Sequence, residues 1–144
     1  MRWSLSGFGA LVGLLALTGC GSAETEEYLR EANSICAAAD KRLGKTERPS
    51  SLARVADAAT KEIAARKEAI TQLGELTPPK EIVGGTDEVV QDLETRQERA
   101  EAVKKAAEGK HRAELRKIGD EGRKEFGVEA ERARAVGLRD CAEL

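Results

Sequence analysis

Between residues 52 and 76 the chain repeats an apolar side chain every third or fourth position: Leu52, Val55, Ala59, Ile63, Ile70, Leu73 and Leu76. Arg54, Asp57, Lys61, Glu68, Gln72 and Glu75 occupy the opposite face. Steps of three and four are the period of a helix, and the clean split of the two faces makes this helix amphipathic. It cannot be stable alone, because its apolar face needs a partner. Ser50 or Ser51 supplies a start signal. Thr77-Pro78-Pro79 supplies a stop, since proline disfavours helix in the residue before it and donates no hydrogen bond.

Three further stretches repeat the pattern. From about Ala23 to Leu43 the apolar residues are Tyr28, Ala32, Ile35, Cys36, Ala39 and Leu43, with Gly44 as the cap. After the prolines, Ile82, Val83, Val89, Leu93, Ala100, Val103 and Ala107 line a third helix. Its start is either near Pro79 or Lys80, with a kink at Gly84-Gly85, or at Thr86, where Thr86-Asp87-Glu88 reads as a cap with an acidic first turn. Asp92/Arg96 and Glu101/Lys105 have the favourable i,i+4 orientation. Gly109 reads as a turn.

A fourth helix, about Lys110 to Val136, carries Leu115, Ile118, Gly122, Phe126, Ala130, Ala133 and Val136. Gly119, Gly122 and Gly127 weaken it by about 1 kcal/mol each relative to alanine. Gly119 and Gly122 are read as room for another helix backbone, and Gly137 as the C-terminal cap. Four such helices with short connections specify an all-α fold, an antiparallel up-down-up-down bundle in a single domain over residues 28–144. A three-helix core with a broken fourth segment is the alternative.

Composition sets the quality of the core. Trp3 and Phe8 lie near the N-terminus, which leaves Tyr28 and Phe126 as the aromatics of the whole remainder. The core must therefore be built from Ala, Val, Ile and Leu. Charges are mixed in sign. Removing residues 1–19 takes Lys+Arg from 24 to 23 and leaves Asp+Glu at 26, a formal −3. That balance argues against a nucleic-acid binder and against a polybasic lipid-binding patch.

The N-terminal stretch MRWSLSGFGALVGLLALTGC differs from everything after it. A short positive start precedes an apolar run from about Leu5 to Leu17. About 13 residues of helix reach ~20 Å, short of the ~30 Å hydrocarbon core of a bilayer. The run therefore fits a secretory signal. Its end, Leu17-Thr18-Gly19-Cys20, resembles the lipobox of bacterial lipoproteins. The resemblance implies removal of residues 1–19, diacylglyceryl attachment to the Cys20 sulfur, and a lipidated N-terminus with a short tether over residues 20–27. A membrane partner through that anchor and an extracytoplasmic location on the cell envelope follow. Two or more acyl chains give stable anchoring. An ordinary secretory signal with a coincidental cysteine and an uncleaved anchor are the competing readings.

With Cys20 assigned to lipid, Cys36 and Cys141 remain. In an oxidising compartment two cysteines suggest one disulfide. They stand 105 positions apart. Closing a loop of that size is worth about 4–5 kcal/mol in the chain-entropy model. Cys36 lies about 20 Å along the first helix, whereas the tail beyond Gly137 reaches back about 13 Å, so the pairing requires the first helix to sit low in the bundle. Two free, buried thiols are the alternative. Two cysteines and His111 are too few for a closed structural zinc site.

Little chemistry is legible. His111, between Lys110 and Arg112, has no orienting carboxylate at a readable spacing. Gly84-Gly85 and Gly119/Gly122 fit no phosphate loop. No residue is assigned a catalytic, metal or cofactor role, and no enzyme activity is expected. Beyond the lipobox, Cys36-Ala37, Leu76-Thr77-Pro78-Pro79, and Gly137-Leu138 with Cys141 resemble small helical lipoproteins and secreted proteins of high-GC Gram-positive bacteria. That resemblance implies a disulfide-closed helical bundle and carries no activity with it. The expectation is an anchored, non-enzymatic bundle that binds or supports another envelope component. A carrier of a small apolar ligand or lipid in an interhelical cavity is the alternative.

Overall fold

The computed structural model describes residues 23–44 and 49–144, so Cys20 and the signal segment lie outside the described residues. Among the described residues four helices follow one another: α1 (Ala23–Leu43), α2 (Leu52–Glu75), α3 (Val83–Glu108) and α4 (Arg112–Val136). Among the described residues there is no strand. Packing runs from α1 to α2, from α2 to α3 and from α3 to α4. Opposed registers make both pairs antiparallel: Arg42 of α1 meets Glu68 while Tyr28 lies near Leu73 and Leu76, and Asp92, Arg96 and Arg99 of α3 meet Arg132, Glu129 and Glu125 of α4. The fold is the expected all-α bundle.

The helix ends follow from local chemistry. Ser51, in an extended conformation, accepts the Arg54 N–H with its hydroxyl at 3.3 Å and starts α2. Gly44 at φ 65° ends α1, its N–H donating to Asp40 O at 3.1 Å. Gly137 at φ 97° ends α4, with Leu138 N–H reaching back to Ala133 O at 2.9 Å and Gly137 N–H to Arg134 O at 3.1 Å. That is a Schellman closure, which a left-handed glycine makes without a Cβ penalty.

Several local expectations are corrected. α1 starts at Ala23, as its periodicity predicts, with Thr25 buried, and its first residues overlap the stretch 20–27 read as a tether. α3 starts neither at Pro79 nor at Thr86 but at Val83, and it takes Gly84-Gly85 into its first turn. Thr86 is not the cap. Its N–H donates to Ile82 O at 2.9 Å, and its hydroxyl donates to the same carbonyl at 3.0 Å. Burial explains the preference, because Thr86 is 3% exposed and inside the helix it needs no water. Gly109 lies in the turn between α3 and α4, as expected, and the left-handed residue of that turn is Lys110 at φ 58°. α4 is continuous through all three of its glycines.

The core is narrower than the large side chains indicated. Ala56, Ala59, Ala65 and Ala69 of α2, with Leu73, are the buried residues of that helix. Val55, Ile63 and Ile70 are half-buried at its edges. Alanine at the centre lets two backbones approach, and the branched residues then close the flanks.

The fourth side of the bundle is closed by the C-terminal tail. Leu138, Cys141, Ala142 and Leu144 are all buried. Asn33 of α1 donates to Gly137 O at 2.9 Å and accepts the Asp140 N–H at 2.9 Å. Arg66 of α2 donates to Leu144 O at 2.9 Å. α4 therefore ends beside the middle of α1, and one turn of tail reaches Cys36. The requirement that the first helix sit low is met.

Candidate functional site

Three arrangements carry side chains that could act: the Cys36–Cys141 region, a buried ion-pair cluster, and a groove at the end of the bundle that α1 does not reach.

Cys36 and Cys141 form a disulfide with a Cα–Cα distance of 4.9 Å. Both residues are buried, among Tyr28, Ala32, Ala39 and Leu138 of the main core cluster. The α-helical hydrogen bonds of α1 carry Cys36 and the Schellman turn aims the tail at it. Beside this region Tyr28 is 6% exposed. Burial pushes its phenol above its ordinary value; a side-chain hydrogen bond with Thr86 opposes this, and the Asp87 charge adds to it. The phenol is consequently neutral at physiological pH.

The second arrangement was not visible in the sequence as a unit. Arg96 is 4% exposed and donates through Nε to Glu129 Oε2 at 2.7 Å, across α3 and α4. It also donates to Ala142 O at 3.4 Å, and its guanidinium lies 4.6 Å from the centroid of the Phe126 ring. Arg99 reaches the other oxygen of Glu129 at 3.4 Å. Asp92 accepts both of its bonds from Arg132 at 2.6 Å. The expected Asp92/Arg96 pair along α3 is thus replaced by two pairs between helices. The expected Glu101/Lys105 pair likewise gives way, with Glu101 accepting from Gln97 at 3.2 Å. Pairs that bridge two helices win because they satisfy Arg96 and Glu129 where water is excluded. Among the described residues, every buried side-chain nitrogen and oxygen has a partner.

The third arrangement is a groove of about 470 Å³, floored by Val103, Ile118 and Phe126 and edged by Glu62, Arg99 and Arg123. Phe126 is 40% exposed, which corrects its expected place in the core. One face of its ring is covered by Arg96. Gly122 does not receive a helix backbone. Its missing Cβ makes room for the Arg99 side chain, whose Cδ would stand 2.8 Å away. A Cβ at Gly119 would meet only the end of Arg123, at 3.8 Å.

His111 precedes α4 and lies on the surface, with Nδ1 3.2 Å from Glu114 Oε2. Among the described residues no group of three His, Cys, Asp or Glu side chains is placed to hold a metal ion. No helix among them is long and apolar enough to cross a membrane. No protein-family model matches the chain, and no curated protein or solved structure matches it.

Proposed function

We propose that this chain is a lipid-anchored, extracytoplasmic lipoprotein whose helical bundle binds or supports another component of the cell envelope without catalysing a reaction. The observation that carries the reading is Leu17-Thr18-Gly19-Cys20 at the end of a short apolar run. A disulfide between Cys36 and Cys141 supports it in two ways. Such bonds persist outside the reducing cytoplasm. The bond also pairs Cys36 and Cys141 with each other, in keeping with a separate role for Cys20. Mass spectrometry of the mature N-terminus tests the reading: a diacylglyceryl Cys20 is expected, and an unmodified peptide starting elsewhere defeats it. Cys20→Ala is expected to release the protein from membranes.

The groove over Val103, Ile118 and Phe126 favours a second reading, carriage of a small apolar ligand. Its volume falls in the range of ligand pockets. Titration of the soluble domain with dodecanoate checks this; no saturable binding counts against it.

A further inference from the structure

We propose that the bundle stands end-on against the lipid headgroups, resting on the α2–α3 connection, with the α3–α4 turn and the groove held away from the bilayer. The inference rests on anchoring at Cys20 and adds the face that meets the membrane.

The length of chain before α1 sets the geometry. Three peptide steps separate Cys20 from Ala23, the first residue of α1. Whatever their conformation, they span at most about 11 Å. Two residues further on, Thr25 donates to Glu81 at 2.7 Å, so the start of α1 is fixed beside the α2–α3 connection. An acyl chain on Cys20 therefore enters the bilayer next to residues 76–83. α3 runs from this connection for 26 residues, about 39 Å, to the turn at Gly109. A longer tether would let the bundle tumble; this one holds one end and frees the other.

The surface chemistry of that end suits headgroup contact without deep insertion. Leu76, Pro78, Pro79 and Ile82 are half-buried, and Val83 is 39% exposed. Lys80 beside them can reach lipid phosphates. Glu24, Glu26 and Glu27 in the first turns of α1 oppose burial in hydrocarbon. A flat-lying attitude gains little in exchange. The outer face of α4 mixes Lys117 and Lys124 with Asp120, Glu121 and Glu131, so it offers no polybasic surface to anionic lipid.

Full-length, lipidated protein in phosphatidylcholine vesicles provides the test. A fluorophore is placed at Lys80→Cys or, in a second protein, at Ala113→Cys, and a nitroxide on the lipid headgroup serves as a short-range quencher. Both positions are exposed, and Thr77→Cys and Glu108→Cys form a second pair should either variant misfold. Quenching several-fold stronger at residues 80 and 77 than at 113 and 108 is expected. Equal or reversed quenching overturns the end-on attitude. Flotation of wild type and Cys20→Ser with the same vesicles separates the two readings. Flotation lost in Cys20→Ser, combined with equal quenching, defeats the attitude alone. Wild type that fails to float, or Cys20→Ser that floats equally, defeats the anchoring and the attitude with it.

Discussion

At the disulfide end of the bundle, α1, the second half of α2, the first half of α3, the last turns of α4 and the tail bury Tyr28, Cys36, Leu73, Leu93, Leu138 and Leu144 around one bond. At the opposite end only α2, α3 and α4 continue. There the buried residues are Ala56, Ala59, Ala100, Ala106 and Ala107, and α4 buries no residue between Arg112 and Val128. The difference shows how a chain poor in aromatics divides its stability. Large aliphatic side chains and the covalent link are concentrated at one end. The other end relies on close alanine packing and surface pairs, which contribute little each. Such regions open locally at lower free energy than the global transition.

The largest expected effect lies at the disulfide. Replacing both cysteines, as Cys36→Ser with Cys141→Ser, is expected to cost about 4–5 kcal/mol in the chain-entropy model, read as a fall in the denaturation midpoint. If the loss is under about 1 kcal/mol, the two ends differ less than their packing indicates. Next comes the ion-pair cluster where the ends meet. Glu129→Ala strands the buried Arg96 guanidinium and is expected to cost about 3–5 kcal/mol. Thermal or urea unfolding checks it. The corresponding loss for Glu125→Ala, whose side chain is 56% exposed, is under about 1 kcal/mol.

Smaller changes probe the weak end alone. A Cβ at Gly127 meets nothing within 4 Å. Gly127→Ala is therefore expected to stabilise α4 by about 0.5–1 kcal/mol. Hydrogen exchange should slow across residues 112–128 while the amides of α1 stay unchanged. Gly85→Ala, a nominally identical change at the strong end, places a Cβ 2.6 Å from a Val136 methyl group and is expected to destabilise by about 1–3 kcal/mol. Opposite signs for the two substitutions would confirm the contrast between a packed and an open helix surface.

The smallest effect is one of pH. The Tyr28 phenol is held above its ordinary value, chiefly by burial. Folding therefore favours the protonated form. Its contribution is complete below the unfolded value near 10 and is lost as pH rises through the folded one. The stability difference between wild type and Tyr28→Phe should shift against wild type above about pH 10, followed by melting temperature in a pH series.

Much of the fold was legible because helix periodicity is a local signal. The start at Ser51, the caps at Gly44 and Gly137 and the pairing of Cys36 with Cys141 all follow from neighbouring residues or from counting. Thr86 misled because threonine before two acidic residues looks like a cap, and only its burial beside Tyr28 tells otherwise. Phe126 misled because its helical phase is right, but α1 packs on α2 rather than on α4 and leaves the ring uncovered. Arg96 and Glu129 were unreadable as partners. Each sits among other charges at helical spacing, and nothing local separates a buried guanidinium from a solvated one. Cys20 stands apart, since its assignment comes from a processing motif rather than from packing.

The bond between Cys36 and Cys141 also turns most of the folded chain into a covalent ring, closed over a sequence separation of 105. A protease that cuts once within the ring, at the α3–α4 turn for instance, opens it without releasing a fragment. Both pieces remain tied through the cystine, and the helices on either side of the cut keep their high effective concentration for one another. Surface damage is thereby converted from loss of a part into a nick.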